Sequence, residues 1–187
     1  MAKIEFNTLV NEIRGQVDKA VLRKYKGRII VARKPSNDGK PSAAQVAQRK
    51  RFRSAADFGK DVMADATVRP LYERAAAERE LPVFAVCIAD FFNPPSITSI
   101  DALNYTGRAG QPVRITAEDD FGVVRVHVEL SDEQGIVIES GDAVQNGNRQ
   151  WTYTSQQIID TGTLVQFQVT ATDRPGGTAV ERTTKRT

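Results

Sequence analysis

Two consecutive prolines, Pro94 and Pro95, divide this chain into halves with different periodicities. Proline lacks the amide that a helix interior needs and pushes the residue before it towards extended geometry, so no helix runs through the pair. Before the pair, apolar residues recur at helical spacing. After it, they alternate with polar residues over short runs. The expected layout is an α+β module over residues 1–93, a β-hairpin with about three helices, followed by an all-β sandwich over residues 94–187.

In the first half, residues 6–14 read as a short helix or turn ended by Gly15. Residues 20–25 and 28–33 are rich in β-branched side chains around Lys26-Gly27, a hairpin pattern. Residues 35–41 collect Pro, Ser, Asn, Asp and Gly and read as a loop. Ser42 followed three residues later by Gln45 has capping-box spacing and opens a helix. On that helix Phe52, Ala55, Ala56, Gly59, Val62 and Met63 share one side, while Arg49, Lys50, Arg51 and Arg53 fan across the opposite arc. A second helix is expected from about 67 to 80, with Pro70 tolerated in its first turn. A third starts at Pro82, a favoured first helical residue, and carries Phe84, Ile88, Phe91 and Phe92.

In the second half, strands are expected at 97–103, 112–117, 123–131, 136–140, 150–154, 163–172 and 179–184. Val124, Val126, Val128 and Leu130 alternate with Arg125, His127 and Glu129. Val165, Phe167, Val169 and Ala171 alternate with Gln166, Gln168, Thr170 and Thr172. One face is buried and one polar, as in antiparallel sheets packed face to face. Seven short strands in about 90 residues without a cysteine pair fit an immunoglobulin-like or fibronectin-like module.

Charge is segregated along the chain. From Lys19 to Arg53 twelve basic residues face a single acid, Asp38, a net +11, whereas the whole chain carries +3. The part before Asn93 carries +7 and the part after Phe92 carries −4. Such an excess selects anionic partners: an acidic protein face, nucleic acid phosphates, or, as the blander alternative, water alone. The first residues show no basic-then-apolar leader, and no apolar run approaches the roughly 18 residues of a membrane span. One cysteine, Cys87, excludes an internal disulfide. The expected location is the cytoplasm, or a particle or filament assembled from cytoplasm-made protein, without membrane attachment.

Two resemblances follow from motifs. Thr170-Ala171-Thr172-Asp173-Arg174-Pro175-Gly176-Gly177-Thr178 resembles the last-strand corner of bacterial immunoglobulin-like modules, an Ala-x-Asp-x-x-Gly-Asn type of turn, with Gly177 where Asn is usual. Arg33-Lys34-Pro35, the run Pro41-Ser42-Ala43-Ala44-Gln45-Val46-Ala47-Gln48-Arg49-Lys50-Arg51-Phe52, the Tyr72–Ala76 segment and the Phe92–Pro95 junction are similar to the pattern of a family of uncharacterised bacterial proteins, many from Bacteroidota and environmental genomes. That resemblance spans nearly the whole chain. It implies the layout already described, a hairpin-helix module joined to an immunoglobulin-like domain, and carries no activity with it.

The basic stretch is the main candidate site: Arg23, Lys24, Tyr25, Lys26, Arg28, Arg33, Lys34, Arg49, Lys50, Arg51 and Arg53, for a partner or for phosphate. Tyr25 among four cations offers one ring for stacking on a base. Glu118, Asp119, Asp120 and Asp173 are expected at one end of the sandwich, where carboxylates could collect calcium, although Asp is also an ordinary turn former. His127, the only histidine, has Glu129 as its sequence neighbour and reads as a surface residue. Cys87 reads as inert packing. Trp151 and Tyr153 read either as one core residue and one exposed ring or as a glycan platform. No nucleotide loop, nucleophile elbow, zinc-ligand pair or Ser/His/Asp set occurs, so no enzymatic activity is expected. The first functional expectation is a structural protein that self-associates into a particle, phage-like tail or filament. The second is an architectural nucleic-acid-binding protein, and the third a carbohydrate-binding adhesin.

Overall fold

The computed structural model describes residues 15–17, 19–25, 28–34 and 39–187. The chain divides into two compact units, residues 1–45 and 46–187.

In the first unit β1 (Gly15–Val17), β2 (Ala20–Tyr25) and β3 (Arg28–Arg33) form an antiparallel sheet in that order. The β2 and β3 bounds are those expected from the β-branched runs, and Tyr25 lies opposite Arg28. The short β1 was not anticipated. The segment expected as helix or turn over 6–14 lies outside the described residues, as do the Lys26-Gly27 turn and residues 35–38 of the expected loop.

Helix α1 (Ala43–Ala64) begins with the capping box: Gln45 N–H donates to Ser42 Oγ at 3.3 Å and Ser42 N–H to Gln45 Oε1 at 3.0 Å. Within the second unit, Ala55, Gly59 and Val62 are buried on α1, the stripe read from the sequence, although Phe52 stays half exposed. Gly59 is required there. A Cβ at this position would lie 2.8 Å from the Phe84 ring, so the missing side chain is what admits the aromatic. Before α2 (Arg69–Arg79), Asp65 Oδ1 accepts the amides of Thr67 and Val68, satisfying donors that the helix start leaves open. The helix ends at Glu80 in the left-handed region, φ 52°, its amide directed to the Ala76 and Ala77 carbonyls. Helix α3 (Val83–Phe92) is flanked by Pro82, which sits one residue earlier than expected, outside the first helical position.

Pro94 is where the helices give way to strands. β4 (Ser96–Asp101), β5 (Pro112–Glu118), β9 (Gln150–Thr154) and β8 (Val144–Gln145) form one antiparallel sheet in the order β4-β5-β9-β8. β6 (Arg125–Ser131), β7 (Val137–Asp142), β10 (Leu164–Thr172) and β11 (Thr178–Arg186) form the other, in the order β11-β10-β6-β7. The result is α+β with β-sandwich-like sheets. Inward residues of both sheets, among them Val113, Ile115, Val126, Val128, Leu130, Val165, Phe167 and Val169, make one continuous core.

Two strand details depart from the sequence reading. Val124 is half exposed rather than inward, because β6 starts at Arg125, two residues later than expected, and Val124 N–H instead donates to the Thr172 carbonyl at 2.9 Å. β8 was missed. After β7 the chain changes sheets through buried Ala143, leaving only two residues to pair with β9. A strand of that length is too short to show an alternation.

A second, smaller core joins the helices to the sandwich: Val62, Tyr72, Ala76, Val86, Cys87 and Phe121. Phe121 comes from the β5–β6 connection and stacks on Tyr72, with ring centroids 4.4 Å apart.

Candidate functional site

The basic candidates fall in both units. In the hairpin, the backbone register sets Arg23 opposite Ile30, Lys24 opposite Ile29, and Tyr25 opposite Arg28. Lys26 and the side chains of Arg23, Lys24, Tyr25 and Arg28 lie outside the described residues. Arg33 and Lys34 are exposed. On α1, Arg49, Lys50, Arg51 and Arg53 are exposed, within a stretch from Ala43 to Ser54 that contains no buried residue. Burial on this helix begins only at Ala55. Arg51 borders the apolar stripe, and its guanidinium carbon lies 5.1 Å from the centroid of the Phe92 ring. Phe52 stacks on the same ring at 6.5 Å. One cation, Arg51, beside the Phe92 and Phe52 ring pair therefore marks the junction of α1 with the end of α3.

Glu118 ends β5, Asp119 and Asp120 follow it towards β6, and Asp173 follows β10, whose end pairs with the start of β6; each of the four is engaged separately. Glu118 accepts from Arg149 at 2.6 Å, and Asp120 from Arg79 at 3.3 Å. Asp119 Oδ2 accepts the Phe121 amide at 2.8 Å. Asp173 Oδ1 accepts the Gly177 amide at 2.5 Å and so closes its own turn. A Cβ on Gly177 would lie 2.6 Å from Asp173 Oδ2, so any side chain there must displace that carboxylate. Among the described residues, no three His, Cys, Asp or Glu side chains are grouped so as to hold a metal ion.

What the sequence reading missed is Asp90. It lies on the buried face of α3, three residues after Cys87 and four after Val86, and is 1% exposed. Tyr72 donates its hydroxyl to Asp90 Oδ2 at 2.5 Å, while Asp90 Oδ1 has no partner. Burial pushes this carboxyl up to about 7; the Tyr72 bond pulls it back, and the charges of Asp119, Asp173 and Asp120 push it up again. The Asp173 carboxyl is also raised, chiefly by burial, against the pull of its turn amides. Asp119 Oδ1 and Asp173 Oδ2 likewise lack partners. The sequence did hold a signal: an acid at i+3 and i+4 from the buried stripe of an otherwise apolar helix.

The remaining candidates are structural. Cys87 is fully buried, and burial pushes its thiol up, away from the reactive thiolate. His127 meets Asp142 on β7 at 2.7 Å rather than Glu129, and Arg125 donates to the same Asp142 oxygen at 2.9 Å. These two partners hold the Asp142 carboxyl below its usual range. Trp151 and Tyr153 both point into the sandwich core, 6% and 2% exposed, so this pair forms no ring platform for a sugar. No helix among the described residues is long and apolar enough to cross a membrane.

No family model matches the chain, and no curated protein does. Among solved structures it is similar to CopC from Methylosinus trichosporium OB3b, at 12% identity over 48% of this chain and 89% of that one, with a TM-score of 0.37. It is also similar to an engineered protein, at 21% identity over 50% of this chain and 18% of that one, TM-score 0.33. A third similarity is to a Br derivative of BhCBM56, at 16% identity over 50% of this chain and 92% of that one, TM-score 0.34.

Proposed function

We propose that this chain is a non-enzymatic structural protein whose basic N-terminal stretch docks on an acidic protein face, a second copy of itself first among them, so that copies build a particle, tail or filament. The sandwich serves as an immunoglobulin-like interaction domain, in keeping with the family that the sequence resembles. The observation carrying this reading is the first half of α1: three turns of helix with no buried residue, bearing Arg49, Lys50, Arg51 and Arg53. An isolated helix of that length is marginal in water and gains from a partner. The opposite charge of the part after Phe92, −4, favours a head-to-tail contact between copies.

Light scattering tests this reading. Large species are expected at low salt and should dissolve as salt shortens the Debye length to about 8 Å near 0.15 M. Arg49→Glu, Arg51→Glu and Arg53→Glu together should abolish them. A monomer at every salt and concentration, with no partner recovered, defeats the proposal.

A second reading, an architectural protein bound to nucleic acid phosphates, is favoured by the Arg51–Phe92–Phe52 arrangement, in which rings lie beside cations. Fluorescence anisotropy with duplex DNA at several salt concentrations separates the two. Phosphate binding through about five contacts gives a log–log slope near −4.5 and little sequence preference. No binding at tens of micromolar protein removes nucleic acid from consideration.

A further inference from the structure

Asp90, Asp119 and Asp173 each hold what proteins ordinarily avoid, a buried acceptor oxygen with nothing to accept from. Three of their oxygens, Asp90 Oδ1, Asp119 Oδ1 and Asp173 Oδ2, are buried and have no hydrogen-bond partner. Asp90 is 1% exposed and Asp173 2%. Ionised carboxyls only accept, whereas a protonated carboxyl supplies an O–H donor. A proton on Asp90 therefore removes a buried charge that a single side-chain hydrogen bond supports among the described residues. Tyr72, from α2, already spends its hydroxyl on Asp90 Oδ2. Arg79 is engaged by the exposed carboxylate of Asp120. Cys87, on the same helix, carries no positive charge. Arg174 acts on Tyr72 and Asp65.

We infer that Asp90 is a proton-binding site that locks the helices to the loop end of the sandwich, closed while it holds its proton and loosened when that proton leaves. The three acids come from the two layers that the lock joins: Asp90 from α3, Asp119 from the β5–β6 connection and Asp173 from the β10–β11 turn. Asp119 Oδ2 accepts the amide of Phe121, whose ring stacks on Tyr72. A shift of the carboxyls is thus transmitted directly to the aromatic contact between the layers.

The sign follows from the direction of the shift. Asp90 releases its proton near 3.8 in the unfolded chain and near 7 in the folded one. Between those values the folded state binds more protons, so its stability falls as pH rises, by up to about tenfold in the folding equilibrium per pH unit for one such group. Above about 7 the loss is complete and constant.

The test is thermal melting of the full chain between about pH 5 and pH 8.5, wild type beside Asp90→Asn. The amide keeps an acceptor for Tyr72 and carries no charge to bury. The variant should gain Tm over wild type as pH rises towards 7, and the difference should level off above that. Tyr72→Phe removes the bond that pulls the Asp90 carboxyl down, so the midpoint of the wild-type pH dependence should move upward. If Asp90→Asn fails to fold, infrared spectra of the wild type must still show a protonated carboxyl band disappearing across neutral pH. Parallel melts of wild type and Asp90→Asn at every pH overturn the proposal. So does a millimolar calcium-dependent rise in Tm that Asp90→Asn abolishes, which would make the occupant a cation.

Discussion

Glu139 in the sandwich and Asp90 in the helical core are both buried carboxyls, yet they meet opposite surroundings. Glu139 Oε2 accepts two backbone amides, from Gln156 at 2.8 Å and Gln157 at 2.9 Å. Two tyrosine hydroxyls lie close enough to feel its charge: Tyr105 and Tyr153 are each pushed up to about 12, first by burial and then by Glu139. Asp90 has one hydroxyl donor and three acidic neighbours. The contrast separates burial from its consequence. Amide donors and acidic neighbours push a carboxyl's proton affinity in opposite directions. The helical core is also much smaller, so a strained group there is a larger part of what holds the layers together.

The largest way to break this comparison is to remove the sandwich core. Phe167 is fully buried and meets Tyr105 edge-on at 5.1 Å. Phe167→Ala should cost about 3–5 kcal/mol, enough to unfold a marginal domain, and circular dichroism should show strand and helix signals lost together. Val86→Ala in the helical core removes less and should loosen α2 and α3 while the β signal persists, read as faster hydrogen exchange confined to the helices. A single transition for both variants would show that the two cores act as one.

Next in size is separation of the layers. Residues 94–187 expressed alone should give a β spectrum and a cooperative melt, because every buried residue of the larger core lies between Ala102 and Ala171. The expected cost is exposure of Phe121, which loses its stack on Tyr72. An unfolded fragment would mean that the sandwich depends on the helices.

The two carboxyls should then respond with opposite signs to loss of charge. Glu139→Gln weakens the acceptor of two backbone amides and should destabilise by about 1–3 kcal/mol, measured by urea unfolding. Asp90→Asn should stabilise under the same conditions. Equal signs would end the distinction drawn between their surroundings.

How far the sequence revealed these features depended on range. The hairpin, the capping box and the alternation of Val165, Phe167, Val169 and Ala171 are local, set by neighbours a few residues apart, and were legible. β8 escaped because two residues carry no period. His127 was assigned Glu129 as its neighbour, whereas its partner, Asp142, comes from the adjacent strand, and strand pairing is a long-range property. Asp119 precedes β6 and Asp173 follows β10, strands that pair antiparallel with Thr172 opposite Arg125. Asp90 escaped because an acid in an apolar helix becomes informative only once the buried face is known and Tyr72, eighteen positions away, is seen to reach it.

The smallest effect concerns Arg79, which touches the same junction from outside. Its guanidinium meets Asp120 at 3.3 Å and lies 5.5 Å from the centroid of Phe121, with its side chain 40% exposed. An ion pair this accessible to water contributes about 0–1 kcal/mol, and the ring contact about 0.5–1 kcal/mol, so Arg79→Ala should lower Tm only slightly. Its more telling effect is electrostatic. Asp120 pushes the Asp90 carboxyl up, and Arg79 is the counter-charge beside Asp120. Removing the guanidinium should leave Asp90 holding its proton to a somewhat higher pH, moving the midpoint of the pH-dependent melt upward. That shift should shrink in high salt, because Asp120 is exposed and screened, whereas the effect of Tyr72→Phe, acting through a buried hydrogen bond, should not. A salt-independent shift in Arg79→Ala would mean that the residue acts through Phe121 packing instead, and would move the control of Asp90 from charge to contact.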